Sequence, residues 1–326
     1  MRSRRRSFLE GCVSIIYGGL AMNNSSALAQ TVTNSSVSFF PGFQRRTIET
    51  SGTTINVVVG GDGPPVLLLH GYPQTHVEWR KIAPELAKSY TLVIPDLRGY
   101  GDSGKPPDGD NHINYSKRAM ALDQVEVMEK LGFKRFAVVS HDRGARVAHR
   151  LALDHPDRHT KLVLIDICPT YYMYKTADRQ FASAYFHWFF LIQSAPFPET
   201  LIGNNIDVFL RLFMGSVMPK FIEPAAYAEY RRCFGDPATI HASCEDYRAG
   251  GSIDLVHDEA DMDRKITCPV LALWGANGLV GRKYDVLAVW RERADHVSGK
   301  ALPGGHWLAE ELPESILAEV KQFLAA

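Results

Sequence analysis

The sequence lacks an excess of charge of either sign. Lysine and arginine together number 36, as do aspartate and glutamate, so the formal net charge is zero. No basic excess indicates a nucleic-acid partner, and no acidic tail is present. The histidines are scattered without the spacing of metal ligands, and no glycine-rich phosphate loop occurs. We therefore expect no metal, no cofactor and no nucleic acid.

Cysteine is also scarce, with five in 326 residues. Cys12 belongs to a segment that we expect to be removed, which leaves Cys168, Cys233, Cys244 and Cys268. An oxidising compartment would permit a disulfide, and Cys233 and Cys244 are the pair best placed for one by sequence proximity. Four buried free thiols are nevertheless the default expectation, with the disulfide as the alternative. None of the four is placed as a catalytic cysteine.

The amino terminus has the features of an export signal. Residues 4–9 resemble the twin-arginine motif, a short apolar stretch follows at 11–21, and Ala-Leu-Ala at 27–29 fits a signal-peptidase site. The apolar stretch is too short and too rich in glycine for a membrane helix. We predict a twin-arginine-type signal peptide over residues 1–29, a bacterial periplasmic location and no membrane span after signal removal. A basic, disordered amino terminus is the alternative.

Short apolar segments alternate with helix-favouring segments along most of the chain. This alternation predicts an α/β fold with a mostly parallel sheet covered by helices on both faces. The eight predicted strands are residues 43–49, 53–59, 66–69, 90–94, 136–139, 162–165, 270–274 and 300–302. From residue 169 to 258 the rhythm breaks, because aromatics and helix formers are frequent and no apolar strand occurs. We predict a helical cap at 169–258, inserted between two parts of one core, residues 30–168 and 259–326.

Residues 136–146 predict a buried strand, a tight turn and a helix. The strand is apolar, and Gly144 lets the chain turn sharply. This is the shape of a nucleophile elbow, usually Gly-x-Ser-x-Gly, but Asp142 stands in the place of the serine. A carboxylate that attacks a saturated carbon forms an ester that water can hydrolyse, so Asp142 indicates displacement at an sp³ carbon followed by ester hydrolysis. A simple helix cap is the alternative.

Three motifs carry a resemblance to a known family. They are His-Gly-Tyr-Pro at 70–73, Arg-Gly-Tyr-Gly-Asp-Ser at 98–103 and His-Asp-Arg-Gly at 141–144. The chain resembles the α/β-hydrolase branch of epoxide hydrolases and dehalogenases, and more closely the fluoroacetate (haloacetate) dehalogenases. The resemblance spans about residues 43–322 and includes His-Trp at 187–188 and Asp-Tyr-Arg-Ala-Gly-Gly at 246–251. It implies the α/β-hydrolase fold.

The nucleophile needs a base and an acid that orients the base. In this fold the base follows the last strand, where Pro-Gly-Gly precedes His306. The acid often follows the strand at 270–274, but the next loop has no carboxylate. We therefore assign the acid to Asp166, at the end of the preceding strand, where the resemblance to dehalogenases also places it. A structural histidine and a polar loop aspartate are the alternatives.

Arg143 and Arg146 lie three residues apart, on one face of the predicted helix. Related epoxide hydrolases and haloalkane dehalogenases carry tryptophan directly after the nucleophile. Two fixed cations at this place predict a bidentate site for a small carboxylate. The alternative is that the arginines neutralise Asp142 or form surface salt bridges.

By resemblance, His187, Trp188 and Tyr247 converge on the leaving halide and donate hydrogen bonds to it. An aromatic core of the cap is the alternative for these three. The resemblance also implies an oxyanion hole formed by the backbone N–H groups of Tyr72 and Arg143.

The resemblance implies hydrolysis of haloacetates, such as fluoroacetate or chloroacetate, to glycolate and halide through an aspartyl ester. It also implies a homodimer. An epoxide hydrolase with the same nucleophile is the alternative, and such an enzyme would use cap tyrosines as acids. The cap offers Tyr185, Tyr227, Tyr230 and Tyr247 for that role. A remote alternative is a non-catalytic binding protein with the hydrolase fold.

Overall fold

The computed structural model describes residues 39–214 and 220–326 of the chain. The predicted signal peptide, residues 1–29, lies outside the described residues. Of the helices in the described part, none combines the length and apolar character needed to cross a bilayer.

One mixed sheet forms the centre of the protein. Within the described residues its eight strands are β1 (Gln44–Glu49), β2 (Thr54–Gly60), β3 (Pro65–Leu69), β4 (Thr91–Pro95), β5 (Phe136–His141), β6 (His159–Ile165), β7 (Val270–Gly275) and β8 (Val297–Leu302). Their order is β1-β2-β4-β3-β5-β6-β7-β8. The pairs β1–β2 and β2–β4 are antiparallel, and the other pairs are parallel. The predicted α/β class and mostly parallel eight-stranded sheet are confirmed.

Helices cover both faces of this sheet. In the described residues they are α1 (Ala83–Leu86), α2 (Lys117–Lys130), α3 (Asp142–Asp154), α4 (Thr170–Lys175), α5 (Arg179–Ala184), α6 (His187–Phe190), α7 (Phe197–Gly203), α8 (Ile206–Met214), α9 (Pro224–Phe234), α10 (Pro237–Gly250), α11 (Ile253–Ala260), α12 (Leu279–Lys283), α13 (Val286–Arg291), α14 (Leu308–Glu311) and α15 (Pro313–Ala325). Two 3-10 helices, His76–Lys81 and Asp110–Tyr115, complete the set.

The central strands are apolar on both sides because both of their faces are buried. Alternate residues of a strand point to opposite faces. Leu67 and Val138 accordingly belong to one core cluster, whereas Leu68 and Val139 belong to another. These continuous apolar runs are typical of parallel strands between two helix layers.

Between β3 and β4 the chain forms two short helices instead of one continuous helix, the 3-10 helix His76–Lys81 and then α1. Pro84 explains the break, because proline disfavours helical geometry in the residue before it and has no N–H to donate. Helix α2 begins at a capping residue, since the Ser116 side chain accepts from the N–H of Ala119.

The segment between β6 and β7 holds helices α4 to α11. This is the part of the chain where the cap was predicted. Cys168, Cys233, Cys244 and Cys268 are all free thiols. A disulfide between Cys233 and Cys244 is therefore absent from this structure, and the default of free thiols holds. Both residues are buried, and the Cys233 sulfur lies 3.1 Å from Nη2 of Arg232 and 3.7 Å from Oε1 of Glu229.

Candidate active site

Asp142 lies where β5 ends and α3 begins. Its φ is 44°, in the left-handed region that residues other than glycine seldom adopt. The residue is only 6% exposed, and its Oδ1 accepts a hydrogen bond of 3.0 Å from the backbone N–H of Tyr72. A left-handed residue at a strand-to-helix turn is the geometry of a nucleophile elbow.

Gly144 makes this turn possible. Its N–H donates to the carbonyl of His70 at 2.9 Å. A Cβ at this position would lie 2.5 Å from the carbonyl oxygens of both His70 and Leu69, a distance that sterics exclude. The close approach of α3 to β3 therefore requires glycine. It also brings the chain after β3, including Tyr72, against the carboxylate of Asp142.

The structure brings Asp142, Asp166 and His306 together. Asp166 follows β6 with φ of 52°, and its Oδ1 accepts from the N–H of Gly275 at 2.9 Å. Its Oδ2 lies 2.6 Å from Nδ1 of His306. On the other side of the ring, Nε2 of His306 lies 3.8 Å from Oδ2 of Asp142. Because Nδ1–H donates to Asp166, the lone pair of Nε2 is on the side of Asp142, as a general base requires.

The electrostatic surroundings keep Asp142 ionised. Burial alone would raise the pKa of its carboxyl group. Electrostatic interactions with His306, His141 and the two nearby arginines outweigh burial and lower this pKa to about 2. The side chain is thus a carboxylate at neutral pH, the form that acts as a nucleophile.

Arg143 is held in place by Asp246 of helix α10. Its Nε and Nη2 donate to the two carboxylate oxygens of Asp246, each at 2.8 Å. The guanidinium carbon lies 4.1 Å from the centre of the Tyr247 ring. Asp246 also accepts from Tyr100 at 2.6 Å and pairs with Lys117. Arg143 is therefore fixed beside the nucleophile rather than free to rotate.

Arg146 has a different environment. Its Nη1 donates to the carbonyl of Cys168 at 3.1 Å and to Oγ1 of Thr170 at 3.0 Å. Its guanidinium carbon lies 4.6 Å from the ring centre of Trp188. Its buried Nε has no hydrogen-bond partner among the described residues. No carboxylate pairs with Arg146 in the described part of the chain, in contrast to Arg143.

A cavity of about 150 Å³ opens onto the nucleophile. It is lined by Tyr72, Asp142, Ala184, Tyr185, Phe186, His187, Leu212, Phe213, Tyr247, His306 and Trp307. Two of the residues predicted to bind halide, His187 and Tyr247, are among them. Trp188 is not, and neither are the side chains of Arg143 and Arg146. Trp188 instead packs its ring against Arg146.

His187 and Tyr247 are neutral hydrogen-bond donors at the cavity wall. Burial lowers the pKa of His187 to about 3. Burial also raises the pKa of Tyr247 well above its ordinary value. At neutral pH the imidazole is therefore uncharged and the phenol keeps its proton. His187 thus has a neutral N–H donor and Tyr247 a neutral O–H donor.

The profile of the α/β-hydrolase fold matches residues 64–313, which is more than half of the chain. The chain belongs to the α/β-hydrolase family. Its sheet order, its elbow and the positions of Asp142, Asp166 and His306 at the carboxyl ends of strands or in the loops that follow them agree with this membership.

This α/β hydrolase is similar in sequence to known proteins over most of its length. Fluoroacetate dehalogenase of Burkholderia sp. is 47% identical, over 88% of this chain and 95% of that protein. The soluble epoxide hydrolase of Corynebacterium sp. (strain C12) is 33% identical, over 84% and 95%. Among solved structures, ALR0039 of Nostoc sp. PCC 7120, provisionally an α/β hydrolase, is 60% identical with a TM-score of 0.85, covering 86% of this chain and 98% of that one. The resemblance to the haloacetate dehalogenases is confirmed.

Sequence reasoning missed one residue of this site, Asp246. It was part of a motif that carries the resemblance, but nothing in the pattern revealed that it pairs with Arg143, which lies 103 positions earlier. Tyr185, named from the sequence only for the epoxide alternative, lines the cavity, and its buried hydroxyl has no partner among the described residues. Tyr230, another tyrosine named for that alternative, donates to Glu310 at 2.5 Å and does not line the cavity.

Two clusters of side chains in the described residues have donor atoms close enough for a metal ion. They are Asp102 with Glu229 and Cys233, and Asp108 with His241 and Glu245. Neither cluster contributes a residue to the wall of the reaction cavity. The α/β-hydrolase site in the described residues thus consists of side chains and backbone donors outside these two clusters.

Proposed function

We propose that this protein hydrolyses haloacetates to glycolate and halide through an ester on Asp142. The observation that carries the proposal is a carboxylate nucleophile accompanied by two buried guanidinium groups, Arg143 and Arg146, on the same helix. An uncharged substrate would gain little from two cations, whereas a haloacetate has a carboxylate for them to bind. The similarity to a fluoroacetate dehalogenase supports the same substrate class.

The first step is displacement of the halogen. The substrate carboxylate binds the arginines, whose side chains lie outside the cavity lining in this structure, so the cavity wall has to rearrange to admit it. The unpartnered Nε of Arg146 supplies one donor. Asp142 attacks the carbon that carries the halogen, the carbon–halogen bond breaks, and the halide leaves with the bonding electrons. His187 and Tyr247 donate hydrogen bonds to the halide, together with Trp188 if its indole N–H turns to the cavity. Donors of this kind replace the water that a departing fluoride would lose.

The second step is hydrolysis of the ester. His306, oriented by Asp166, removes a proton from water, and the water attacks the carboxyl carbon of Asp142. The backbone N–H of Tyr72 already donates to Asp142 Oδ1 and would stabilise the tetrahedral oxyanion, together with the N–H of Arg143. One such donor contributes about 3–4 kcal/mol in comparable sites. Glycolate then leaves, and Asp142 is again a carboxylate.

The first test measures halide release and glycolate from fluoro-, chloro- and bromoacetate. Single turnover in isotopically labelled water should place the label in the Asp142 carboxyl group, because water attacks a carbon of the enzyme. Label in glycolate with none in the enzyme would exclude the ester route. The relative rates on the three haloacetates show which halogen the cavity favours.

An epoxide hydrolase remains a second candidate on one specific observation. The phenols of Tyr185 and Tyr247 both line the cavity that contains Asp142, and an opening epoxide needs acids of that kind. Diol formation from styrene oxide, without halide release from any haloacetate, would favour this alternative. A Tyr185→Phe variant should then lose diol formation, whereas a dehalogenase should keep most of its halide release.

Two further proposals rest on the sequence and on resemblance. We propose that residues 1–29 direct export to the periplasm through the twin-arginine pathway. Fractionation of cells that express the full chain tests this, with Arg5→Lys and Arg6→Lys together expected to retain the protein inside. We also propose a homodimer, which sedimentation of the mature protein would reveal.

A further inference from the structure

Glu78 and His141 form a buried ion pair directly behind the nucleophile. Glu78 lies in the 3-10 helix His76–Lys81, and His141 is the last residue of β5, next to Asp142. Each is 1% exposed. Nδ1 of His141 lies 2.9 Å from Oε1 of Glu78. A glutamate is seldom fully buried without a specific role for its charge.

The pair connects the three segments that carry the reaction. The second carboxylate oxygen of Glu78 accepts from the N–H of Gly71 at 2.8 Å, and Gly71 precedes the oxyanion donor Tyr72. His141 is covalently joined to Asp142. On its other side, Nε2 of His141 lies 2.9 Å from the carbonyl oxygen of His306. Glu78 and His141 thus bridge the oxyanion loop, the elbow and the loop of the base.

The surroundings of His141 favour a positive charge on its ring. Nε2 lies 2.9 Å from the carbonyl oxygen of His306, which can only accept a hydrogen bond, so Nε2 carries a proton. Nδ1 lies 2.9 Å from a carboxylate oxygen of Glu78 without the alignment of a hydrogen bond, and a buried carboxylate at this distance stabilises the imidazolium form. Burial would lower the pKa of His141, but Glu78 outweighs it and raises the pKa to about 9. The ionisable groups that face the pair are Asp142, Asp166, His306, His70 and Tyr230.

We propose that Glu78 and His141 are positioning residues for the ester-hydrolysis step. The pair holds the N–H of Tyr72 and the ring of His306 in register with Asp142, and it keeps a cation beside the carbon that becomes a tetrahedral oxyanion. The inference rests on the proposed two-step reaction. A cation at this place opposes nucleophilic attack by Asp142 but favours the attack of water on the ester, so the second step benefits.

The decisive variant is Glu78→Gln. Glutamine keeps a side-chain oxygen for the N–H of Gly71 but removes the negative charge, so His141 loses its proton near neutral pH. We expect kcat to fall about tenfold or more and KM to fall with it, so that kcat/KM changes less than about twofold, with the covalent ester accumulating. In the wild type we expect kcat to decrease as pH rises through the pKa of His141, about 9, and in the variant this decrease should lie more than one pH unit lower. Glu78→Asp, which restores the charge, should recover part of the activity.

A direct measurement keeps the inference separate from the activity. Nitrogen NMR of the His141 ring in the wild type should show an imidazolium at pH 8, and a neutral ring at that pH in Glu78→Gln. Asp123→Asn is the matched control, because Asp123 is a buried acid that pairs with Arg98 and does not contact the site. Its kcat profile against pH should match the wild type.

Two results would overturn the inference: a neutral His141 ring in the wild type at pH 8, or wild-type kcat and pH profile in Glu78→Gln. If the wild type releases no halide from any haloacetate but His141 is an imidazolium, the proposed function fails while the ion pair stands. If Glu78→Gln does not fold, the wild-type spectrum and the kinetics of Glu78→Asp still decide.

Discussion

The ring of His306 connects Asp142 and Asp166, and its part in the two steps can be separated. It is needed to activate water, whereas the displacement of halide needs only the carboxylate of Asp142. We expect His306→Asn to form the ester but not to hydrolyse it. Mass spectrometry of the variant after incubation with fluoroacetate should show the added mass of one carboxymethyl group on the peptide that contains Asp142.

The matched control for this experiment is Asp142→Asn, which retains His306 and removes the nucleophile. It should gain no mass, since an amide does not displace halide. Steady-state turnover of His306→Asn at the wild-type rate would remove His306 from its role. An adduct in Asp142→Asn would show that a different side chain is the nucleophile.

Arg146 is the arginine near Asp142 that pairs with no carboxylate among the described residues, and its buried Nε has no hydrogen-bond partner there, so it should contribute most to binding the substrate carboxylate. Lysine at this position keeps a positive charge but has no Nε in the same place and cannot bind bidentately. We expect Arg146→Lys to raise KM for haloacetates about tenfold or more, the effect of losing one hydrogen bond to a charged group of about 1.5–3 kcal/mol. Steady-state kinetics measure this directly.

Arg150, one helical turn further along α3, provides a matched comparison. It is equally buried, and it too has donors without hydrogen-bond partners, Nε and Nη1. It differs in its charge partners, because its Nη2 pairs with Asp154 and Asp261. Arg150→Lys should lower thermal stability without changing KM. Equal KM values for Arg146→Lys and the wild type would mean that Arg146 only supports Trp188 and Thr170.

At the scale of elements, helix α10 positions the site through Asp246. This buried carboxylate accepts from Arg143, Tyr100 and Lys117, and it links the insertion to α2 and α3. The pKa of Asp246 is far below its ordinary value, because Arg143 and Lys117 outweigh the effect of burial. Its negative charge is therefore part of the folded structure.

We expect Asp246→Asn to lower the free energy of unfolding by about 3–5 kcal/mol, because it leaves two buried cations short of a counter-charge. KM should rise as well, since Arg143 loses its fixed orientation. Urea unfolding followed by circular dichroism measures the first effect. Asp207→Asn is the control within the same insertion, because Asp207 pairs with Arg231 at the exposed surface. Its unfolding midpoint should not change, and an equal loss in both variants would contradict the argument.

The strands and the elbow were predictable from local sequence, whereas the support of the site was not. β5 and β6 each contain a continuous apolar run, residues 136–139 and 162–165, and the strand-to-helix turn at Gly144 has a local pattern. The partners of the arginines and of His141 depend instead on contacts between residues far apart in sequence, such as Glu78 with His141 and Asp246 with Arg143. No periodicity encodes such contacts, because each depends on how two elements meet in three dimensions.

At the scale of the whole molecule, the proposed site combines residues from the part of the chain that forms the sheet with residues from the segment between β6 and β7. Asp142, Asp166 and His306 all come from the part of the chain that forms the sheet, at the ends of β5, β6 and β8. His187 and Tyr247 come from helices α6 and α10 between β6 and β7. The residues proposed as nucleophile and base thus lie at the ends of the buried strands or in the loops that follow them, whereas those proposed to donate to the leaving group lie in the segment between β6 and β7.

Buried histidines should make the stability of the whole protein sensitive to acid. Burial lowers the pKa of His149 from 6.5 to about 3, and that of His187 likewise. Between pH 6.5 and 3 the unfolded chain therefore binds protons that the folded protein excludes. As the pH is lowered through this range, the free energy of unfolding decreases by up to about 1.4 kcal/mol per pH unit for each ring. Asp258, whose pKa burial raises to about 6, acts in the opposite direction below that pH.

His149→Phe should keep the edge contact with Trp290. In urea titrations it should reduce the slope of the unfolding free energy against pH by about 1 kcal/mol per unit between pH 6 and 4.5. Above pH 7.5, where this ring is neutral in both states, the difference between variant and wild type should be constant; parallel curves through the acid range would show that His149 is protonated in the folded protein.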